Sequence, residues 1–175
     1  MPPTLETRRL QLRLPREDDL DNIYALGSSP RVMRFITLGR TQSRAEAEED
    51  LQKRMATNGD PLGYWITERR DTGEFLGWMA LKSLDNTPDI EIGYRFLESA
   101  WGKGYATEGG AKILDYAFLT LQIPEVVAVA IPENRASIRV MEKLGMRYLS
   151  DGQFYGVRCV RYGVSQQAWL EKRLP

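Results

Sequence analysis

The segment of this sequence best suited to chemistry is a short glycine-rich loop. Gly102 and Gly104 flank Lys103 where an apolar strand pattern gives way to a long helical pattern. Glycine lets the backbone approach a ligand closely and adopt a positive φ, and a helix N-terminus adds unpaired N–H groups and the positive end of a dipole. The pattern predicts a cradle for a pyrophosphate, although a plain glycine-rich turn has the same composition.

Two well-known phosphate-binding motifs do not fit this loop. A P-loop requires Gly-x-x-x-x-Gly-Lys followed by Ser or Thr, and here Lys103 is followed by Gly104. A dinucleotide-binding fingerprint requires a third glycine where this chain has Thr107, and it opens a β-α-β unit early in the fold. The loop therefore indicates neither of these nucleotide-binding classes.

The chain contains no histidine, and this absence removes whole classes of chemistry. Ser-His-Asp and Cys-His nucleophilic sites are excluded, as are metal sites with histidine ligands. Cys159 is the only cysteine, so no internal disulfide can form. A magnesium or calcium site made of carboxylates alone stays open, but no acidic cluster has the spacing of a ligand loop. We therefore expect no metal.

Charge and hydropathy restrict the partners and the location of the protein. Lys plus Arg and Asp plus Glu each number 24, so the formal net charge is zero, which argues against a general nucleic-acid binder. No run approaches the roughly 18 apolar residues of a membrane span, and the first residues lack the layout of a signal peptide. We expect a cytoplasmic protein with no nucleic-acid or membrane partner, and a single domain over residues 1–175.

Periodicity and turn signals predict the elements that position the loop. Their order is β-α-α-β-β-β-α-β-α-β-β, with three adjacent antiparallel strands before a strand–helix–strand crossover. That order favours an α+β fold with a mixed sheet over a doubly wound one. The predicted strands are 9–14, 64–70, 75–84, 90–97, 126–131, 146–150 and 158–164, and the predicted helices are 18–26, 41–56, 104–121, 134–144 and a short last one through Trp169.

The loop and its surroundings resemble the GNAT superfamily of acetyltransferases. The run Gly102-Lys103-Gly104-Tyr105-Ala106 is similar to that family's pantetheine-pyrophosphate motif, although the Arg or Gln that usually opens the motif is missing. The longer run Trp-Gly-x-Gly-Tyr-Ala-Thr-Glu is similar to the branch of ribosomal-protein alanine N-terminal acetyltransferases (Rim-type). Further stretches that resemble this branch are 7–13, 91–94, 132–137 and 143–146.

The resemblance implies a fold, a cosubstrate and binding residues. The fold is a GNAT-like mixed, mostly antiparallel sheet of about seven strands flanked by about four helices, with a V-shaped splay between the fourth and fifth predicted strands. The cosubstrate is acetyl-CoA, whose pantetheine arm would lie in that splay and pair with backbone like an added strand. The residues implied to bind it are Phe96, Leu97, Gly102, Lys103, Gly104, Tyr105, Ala106, Thr107 and Asn134. Phe96 could equally be a core residue and Asn134 a helix N-cap.

Two residues are candidates for the catalysis, and the resemblance implies the first of them. In the resembled branch a serine at the position of Ser137 can protonate the leaving thiolate, whereas many family members use a tyrosine four residues later, where this chain has Met141. Glu91 is the candidate base, acting through water. The structural alternative for Ser137 is a first-turn serine that binds backbone donors, and that for Glu91 is a solvated or ion-paired strand carboxylate. No covalent intermediate is needed, which suits a chain without histidine.

Three functions stay open at this point. The first is acetylation of a protein or peptide α-amine, and the second is acetylation of a small amine such as a polyamine, amino acid or drug. The third is a catalytically silent acyl-CoA-binding module. We expect the acceptor pocket to be built from the two early helices and the segments 59–64 and 151–157, and a homodimer is one expectation for the assembly.

Overall fold

The computed structural model describes residues 1–172. One eight-stranded sheet has the spatial order β1-β2-β3-β4-β5-β6-β8-β7, and every neighbouring pair is antiparallel except β5 and β6. The strands are β1 (Leu5–Glu6), β2 (Leu10–Arg13), β3 (Gly63–Arg69), β4 (Phe75–Ser83), β5 (Ile90–Phe96), β6 (Glu125–Ala130), β7 (Arg147–Phe154) and β8 (Val157–Ser165).

Six α-helices pack around this sheet in the described part of the chain. They are α1 (Leu20–Gly27), α2 (Pro30–Met33), α3 (Arg44–Ala56), α4 (Tyr105–Asp115), α5 (Arg135–Lys143) and α6 (Gln166–Glu171). Short 3₁₀ turns at Glu17–Asp19 and Glu98–Ala100 precede α1 and the loop before α4, and α4 continues as a π-helical turn over Tyr116–Thr120. None of these helices is long and apolar enough to cross a membrane.

The predicted α+β fold with a mixed, mostly antiparallel sheet is confirmed, with two additions. Strand β1 is only two residues long, which is too short for any periodic signal. Helix α2 begins at Pro30, which the sequence marks only as a break after α1. Its first turn is capped because the Ser29 hydroxyl accepts a hydrogen bond from the Val32 N–H, and proline is well suited to a first helical position.

The sheet is buried on both faces by different sets of helices. On β3, Trp65 and Ile66 are both fully buried although successive strand side chains point to opposite faces. Trp65 belongs to the larger core, which lies under α4, α5 and α6, whereas Ile66 belongs to a smaller core under α1 and α3. The sheet therefore separates two layers, and anything that reacts across it must pass between strands.

Such a passage exists between β5 and β6. Their pairing is limited to one residue pair, Glu91 with Val127, near the start of each strand. Beyond that pair, β5 keeps its full antiparallel ladder with β4 from Ile90 to Phe96, but no other strand in the described part of the chain pairs with its other edge. The V-shaped splay predicted between these two strands is therefore present, and it leaves one backbone edge of β5 open.

Candidate active site

The glycine-rich loop forms the N-terminus of α4. Gly102 and Gly104 have φ values of +71° and +79°, a region that glycine adopts without strain, and Gly104 is the N-cap residue. No side chain among residues 1–172 caps this helix, so the N–H groups of its first turn are left for a ligand. A Cβ added at Gly102 would meet nothing within 4 Å, so the loop lies open on its outer side. The arrangement suits a pyrophosphate.

Arg9 holds this loop from the start of the chain. Its Nη1 donates to the Lys103 carbonyl at 2.9 Å, and its Nε forms a 2.6 Å ion pair with Glu108 in the first turn of α4. The guanidinium also lies over the Tyr105 ring at 4.7 Å. Burial would raise the pKa of Glu108, but hydrogen bonds from Thr7 and Arg9 outweigh it and hold that pKa below its usual range. Arg9 places a cation beside the loop.

The open edge of β5 presents backbone groups to the splay. The Leu97 N–H donates to the Leu76 carbonyl at 2.8 Å, so the backbone of Leu97 faces β4. Because backbone direction alternates along an antiparallel ladder, the N–H and C=O groups of Tyr94 and the N–H of Phe96 face the splay instead. The Phe96 carbonyl accepts a 2.9 Å hydrogen bond from the Trp101 indole. Backbone pairing with a bound arm would therefore use Tyr94 and Phe96, while the predicted role of Leu97 stays a prediction.

A cavity of about 520 Å³ runs through the splay and is lined from both faces of the sheet. The lining on the α4–α5 side includes Ala106, Asn134, Ser137, Val140, Met141 and Leu144. The lining on the opposite side includes Arg54, Tyr64, Trp78, Lys82, Glu91 and Tyr155. The predicted cosubstrate residue Asn134 and both predicted catalytic residues therefore border one continuous space.

The first turn of α5 brings two of these residues together. Asn134 is the N-cap of the helix, and its side-chain oxygen accepts a hydrogen bond from the Ser137 N–H at 3.2 Å. The structural role of Asn134 is thus present, and its amide nitrogen is left for another partner. Ser137 turns its hydroxyl to the Tyr94 hydroxyl, 3.1 Å away across the cavity.

Tyr94 was missed by the sequence reasoning, because its contact with Ser137 spans 43 residues and carries no local motif. Burial raises the pKa of the Tyr94 hydroxyl, and the hydrogen bond with Ser137 offsets this only in part. The tyrosine therefore keeps its proton at neutral pH. The two hydroxyls form a pair that can hold a proton and pass it to a developing thiolate, which is the task of a general acid.

Glu91 is held by two partners on the opposite face. Its buried carboxylate forms an ion pair with Lys82 and accepts a hydrogen bond from the Tyr155 hydroxyl. Burial works to lower the pKa of Lys82, but the charge and hydrogen bond of Glu91 outweigh it, so that pKa is raised. Lys82 therefore stays charged at neutral pH and is ion-paired with the Glu91 carboxylate. The role of Glu91 as a base stays a prediction.

The single cysteine also borders the cavity. Cys159 is buried on β8, and burial together with the negative charge of Glu91 raises the pKa of its thiol. A thiol is a weak nucleophile until it loses its proton. The site therefore offers donors for a phosphate, a hydroxyl pair for proton transfer and one paired carboxylate, but no activated nucleophile among the described residues.

Comparison with known proteins gives a consistent result. A family model described as an acetyltransferase (GNAT) domain matches residues 9–147. The chain is 36% identical over 147 residues to the uncharacterized protein YkkB of Bacillus subtilis, which covers 82% of this chain and 85% of that protein. It is 34% identical over 147 residues to the uncharacterized N-acetyltransferase YoaA of the same species, with 83% of each chain covered.

Solved structures share the fold at lower sequence identity. A ribosomal-protein-S5-alanine acetyltransferase from Vibrio fischeri superimposes with a TM-score of 0.76 at 16% identity, over 95% of this chain and 98% of that chain. A spermidine N-acetyltransferase from Vibrio cholerae, solved with CoA and spermine, gives 0.77 at 20% identity, over 94% of this chain and 99% of that chain. At such identities the likeness establishes the fold alone, and the two neighbours act on acceptors of different kinds.

Proposed function

Because this chain belongs to the GNAT family and is an N-acetyltransferase with acetyl-CoA as its donor, we propose that its acceptor is the free α-amine at the N-terminus of a peptide. The observation that carries this proposal is the pairing of Glu91 with Lys82. Among the described residues, Glu91 is the one carboxylate that borders the cavity. A carboxylate engaged in this way is a poor base for removing a proton from a strongly basic amine.

The acceptor must be a neutral amine when it attacks a thioester. A lysine side chain has a pKa near 10.4 and an α-amine one near 7.7–8.0. At pH 7 roughly a tenth of α-amines are neutral, against fewer than about one lysine in 2,000. That difference corresponds to about 3 kcal/mol, which a strong base or a pKa-lowering pocket would have to supply for lysine. This site is better matched to the amine that already loses its proton near neutral pH.

The chain's own residues fit the donor in three places. Acetyl-CoA supplies the activated acyl group as a thioester. The first-turn amides of α4 after Gly104 would bind its pyrophosphate, together with the predicted contacts from Gly102 to Thr107. The open backbone edge at Tyr94 and Phe96 would pair with the pantetheine arm, and Asn134 would donate to it from its free amide nitrogen. Ser137 and Tyr94 would hold the proton that the leaving thiolate takes up, and the proton that the acceptor nitrogen loses as the amide forms would replace it.

The charge of the cavity disfavours polyamine acceptors. Three cationic side chains border it, Arg54, Lys82 and Arg95, against one carboxylate. A polycation such as spermidine would meet repulsion there, since like charges in a desolvated site cost several kcal/mol. Within the small-molecule alternative, the lining therefore favours an amino acid over a polyamine. A small amino acid is a second candidate because the cavity is deep enough to enclose one. Trp78 and Arg54 in its lining are almost fully buried.

A three-substrate comparison tests the proposal. The acceptors are a peptide with a free N-terminus and no lysine, the same peptide with a blocked N-terminus and one lysine, and spermidine. We expect thiol release from acetyl-CoA to give a kcat/KM at pH 7 at least 100-fold higher for the free N-terminus than for either of the others. Preferential turnover of spermidine or of the blocked peptide would reverse the assignment, and acetyl-CoA binding without turnover of any amine would indicate a silent module.

Three further points belong to the same proposal. The chain would act as one N-acetyltransferase domain over residues 1–175, of which 173–175 lie outside the described residues. It would need no metal, since the donor is already activated and the hydroxyl pair supplies the proton. It would work in the cytoplasm, where acetyl-CoA and new peptide N-termini occur together.

A further inference from the structure

The side of the cavity that is lined by Arg54, Lys82 and Glu91 holds more positive than negative charge among the described residues. Lys82 is paired with Glu91, and one nitrogen of Arg54 is paired with Asp50 at 2.8 Å. Arg95 lies beside them on β5, and its Nε has no hydrogen-bond partner among the described residues. The carboxylate whose charge acts on Arg95 is Asp50, which is already paired with Arg54. One full guanidinium charge is therefore left unmatched next to the splay.

The unmatched groups are hydrogen-bond donors. The Arg54 side chain is only 5% exposed, and its Nε and Nη1 atoms have no hydrogen-bond partner among the described residues. The same holds for Nε of Arg95 and the indole Nε1 of Trp78. A buried donor without an acceptor is costly, and a charged donor more so. Four such donors along one stretch of cavity indicate that oxygen acceptors belong there.

Aromatic stacking does not supply these acceptors. The Arg54 guanidinium lies 4.1 Å from the Trp78 ring centroid and 4.4 Å from that of Tyr64, and Arg95 lies 5.3 Å from the Trp78 ring. A cation is attracted to the face of an aromatic ring, and this attraction does not use the cation's hydrogen-bond donors. The N–H bonds of a guanidinium lie in the plane of the guanidinium, where they match the two oxygens of a carboxylate. The rings therefore pack against both guanidinium groups without accepting hydrogen bonds from their unpartnered N–H groups.

Arg95 remains charged despite its surroundings. Burial, aided by the positive charge of Arg54, lowers the pKa of Arg95 to about 10. At neutral pH the guanidinium is still protonated, so the burial of its charge is a standing cost that a bound anion would relieve.

The position of Arg95 relates this charge to the reacting groups. Glu91, Gly93 and Arg95 share one face of β5, because strand side chains alternate. A Cβ added at Gly93 would meet nothing within 4 Å, so the floor between the two charged residues is open space. Gly93 and Arg95 are two positions apart on the strand, so their Cα atoms are about 7 Å apart. An amine over Gly93 and an anion at Arg95 would therefore fit on one small molecule or one peptide end.

We propose that the acceptor carries a carboxylate, which binds between Arg95 and Arg54 while its amine lies over Gly93 at the splay. The inference rests on the proposed function and narrows the acceptor to an amine with a nearby acid. In a peptide the carboxylate is an acidic side chain next to the free N-terminus. In a free amino acid it is the side-chain carboxylate of an acidic residue.

A binding experiment without turnover tests the site. With CoA in place of acetyl-CoA, calorimetry compares the tripeptide amides Ala-Glu-Ala and Ala-Gln-Ala, and in a second arm free glutamate and glutamine. We expect the glutamate member of one pair to bind about 10- to 100-fold more tightly than its glutamine partner. The arm that shows the difference identifies the source of the carboxylate. Equal affinity within both pairs would overturn the proposal.

Variants locate the effect. In Arg95→Gln the preference should fall to within about threefold, and Arg95→Lys, which keeps the charge but loses the fork, should retain part of it. The matched control is Lys53→Gln, which removes an exposed charge from the helix that carries Arg54 and should leave the preference unchanged. Retention of the full preference in a folded Arg95→Gln protein would contradict the assignment.

The binding experiment, read together with the three-substrate turnover assay, separates this inference from the proposed function. Glutamate-selective binding together with failure of acetyl-CoA to acetylate any amine would leave the carboxylate site standing and remove the enzymatic proposal. Turnover of free N-termini with no selectivity for a neighbouring acid would do the opposite.

Discussion

Replacing Gly104 by valine should abolish acetyl-CoA binding while the fold survives. Gly104 has a φ of +79° at the N-cap of α4, where any other residue is strained by about 1–2 kcal/mol. Gly73, in the turn between β3 and β4, has a φ of +72°, and a Cβ there would meet nothing within 4 Å, whereas one at Gly104 would lie 3.4 Å from Nη2 of Arg9. Gly73→Val is therefore a matched control, which carries a similar backbone strain far from the cradle.

The magnitudes follow from the size of the protein and from mass action. A strain of about 1–2 kcal/mol should lower the melting temperature of either apo variant by roughly 2–8 °C. Acetyl-CoA at 100 times its Kd adds about 2.7 kcal/mol, which should raise the melting temperature of the unmodified protein and of Gly73→Val by roughly 5–11 °C. If Gly104→Val binds at least 100-fold more weakly, about 0.4 kcal/mol is left, a rise of about 1–2 °C.

The assay is a thermal melt of the three proteins with and without acetyl-CoA. Equal ligand-induced shifts in Gly104→Val and Gly73→Val would refute the reasoning, because the cradle would then lie elsewhere. Loss of the shift in both variants would point to general damage of the fold instead of a local effect on the phosphate loop.

Three other changes probe the chemistry of the site. Ser137→Ala and Tyr94→Phe should each lower kcat at least 10-fold with little change in the Kd of acetyl-CoA, because they break the hydroxyl pair that holds the proton; unchanged kcat in both would leave Ser137 as a first-turn serine. Cys159→Ala should keep most of the activity, since a buried thiol of raised pKa is not activated, and an acetylated Cys159 on the reaction path, found by mass spectrometry, would disprove direct transfer. If Glu91 acts as a base, Glu91→Gln should lose more activity at pH 6.5 than at pH 8.5, because more acceptor is protonated at the lower pH. Lys82, whose pKa is raised from 10.5, stays charged over this range. A loss of activity independent of pH would leave Glu91 with its ion-pair role.

Local signals predicted the parts of the site that depend on neighbouring residues. The loop at Gly102 and Gly104 was predictable because positive φ and a helix N-terminus are both marked by glycine before a periodic stretch. The capping box of α3 was predictable because it also depends on residues close in sequence. The Ser43 side chain accepts from the Glu46 N–H, and the Glu46 side chain accepts from the Ser43 N–H.

Contacts that depend on strand register and on distant segments were not predictable. Lys82 lies opposite Glu91 only because β4 and β5 pair in one particular register, which the sequence of either strand does not reveal. Arg9 reaches the Lys103 carbonyl across 94 residues of chain. Arg54 meets Trp78 because α3 packs against β3, the neighbour of the strand that carries Trp78, and the periodicity of a highly charged helix does not mark one arginine as buried.

The central claim is that a free α-amine receives the acetyl group, and one peptide can test it by internal competition. The peptide carries a free N-terminus and one internal lysine, and mass spectrometry locates the acetyl group after partial reaction at pH 7. From the neutral fractions of the two amines, roughly 300-fold apart, we predict acetylation almost entirely at the N-terminus. Acetylation mainly at the lysine would contradict the account, because Glu91, the one carboxylate among the described residues that line the cavity, is paired with Lys82 and would then have to activate a strongly basic amine.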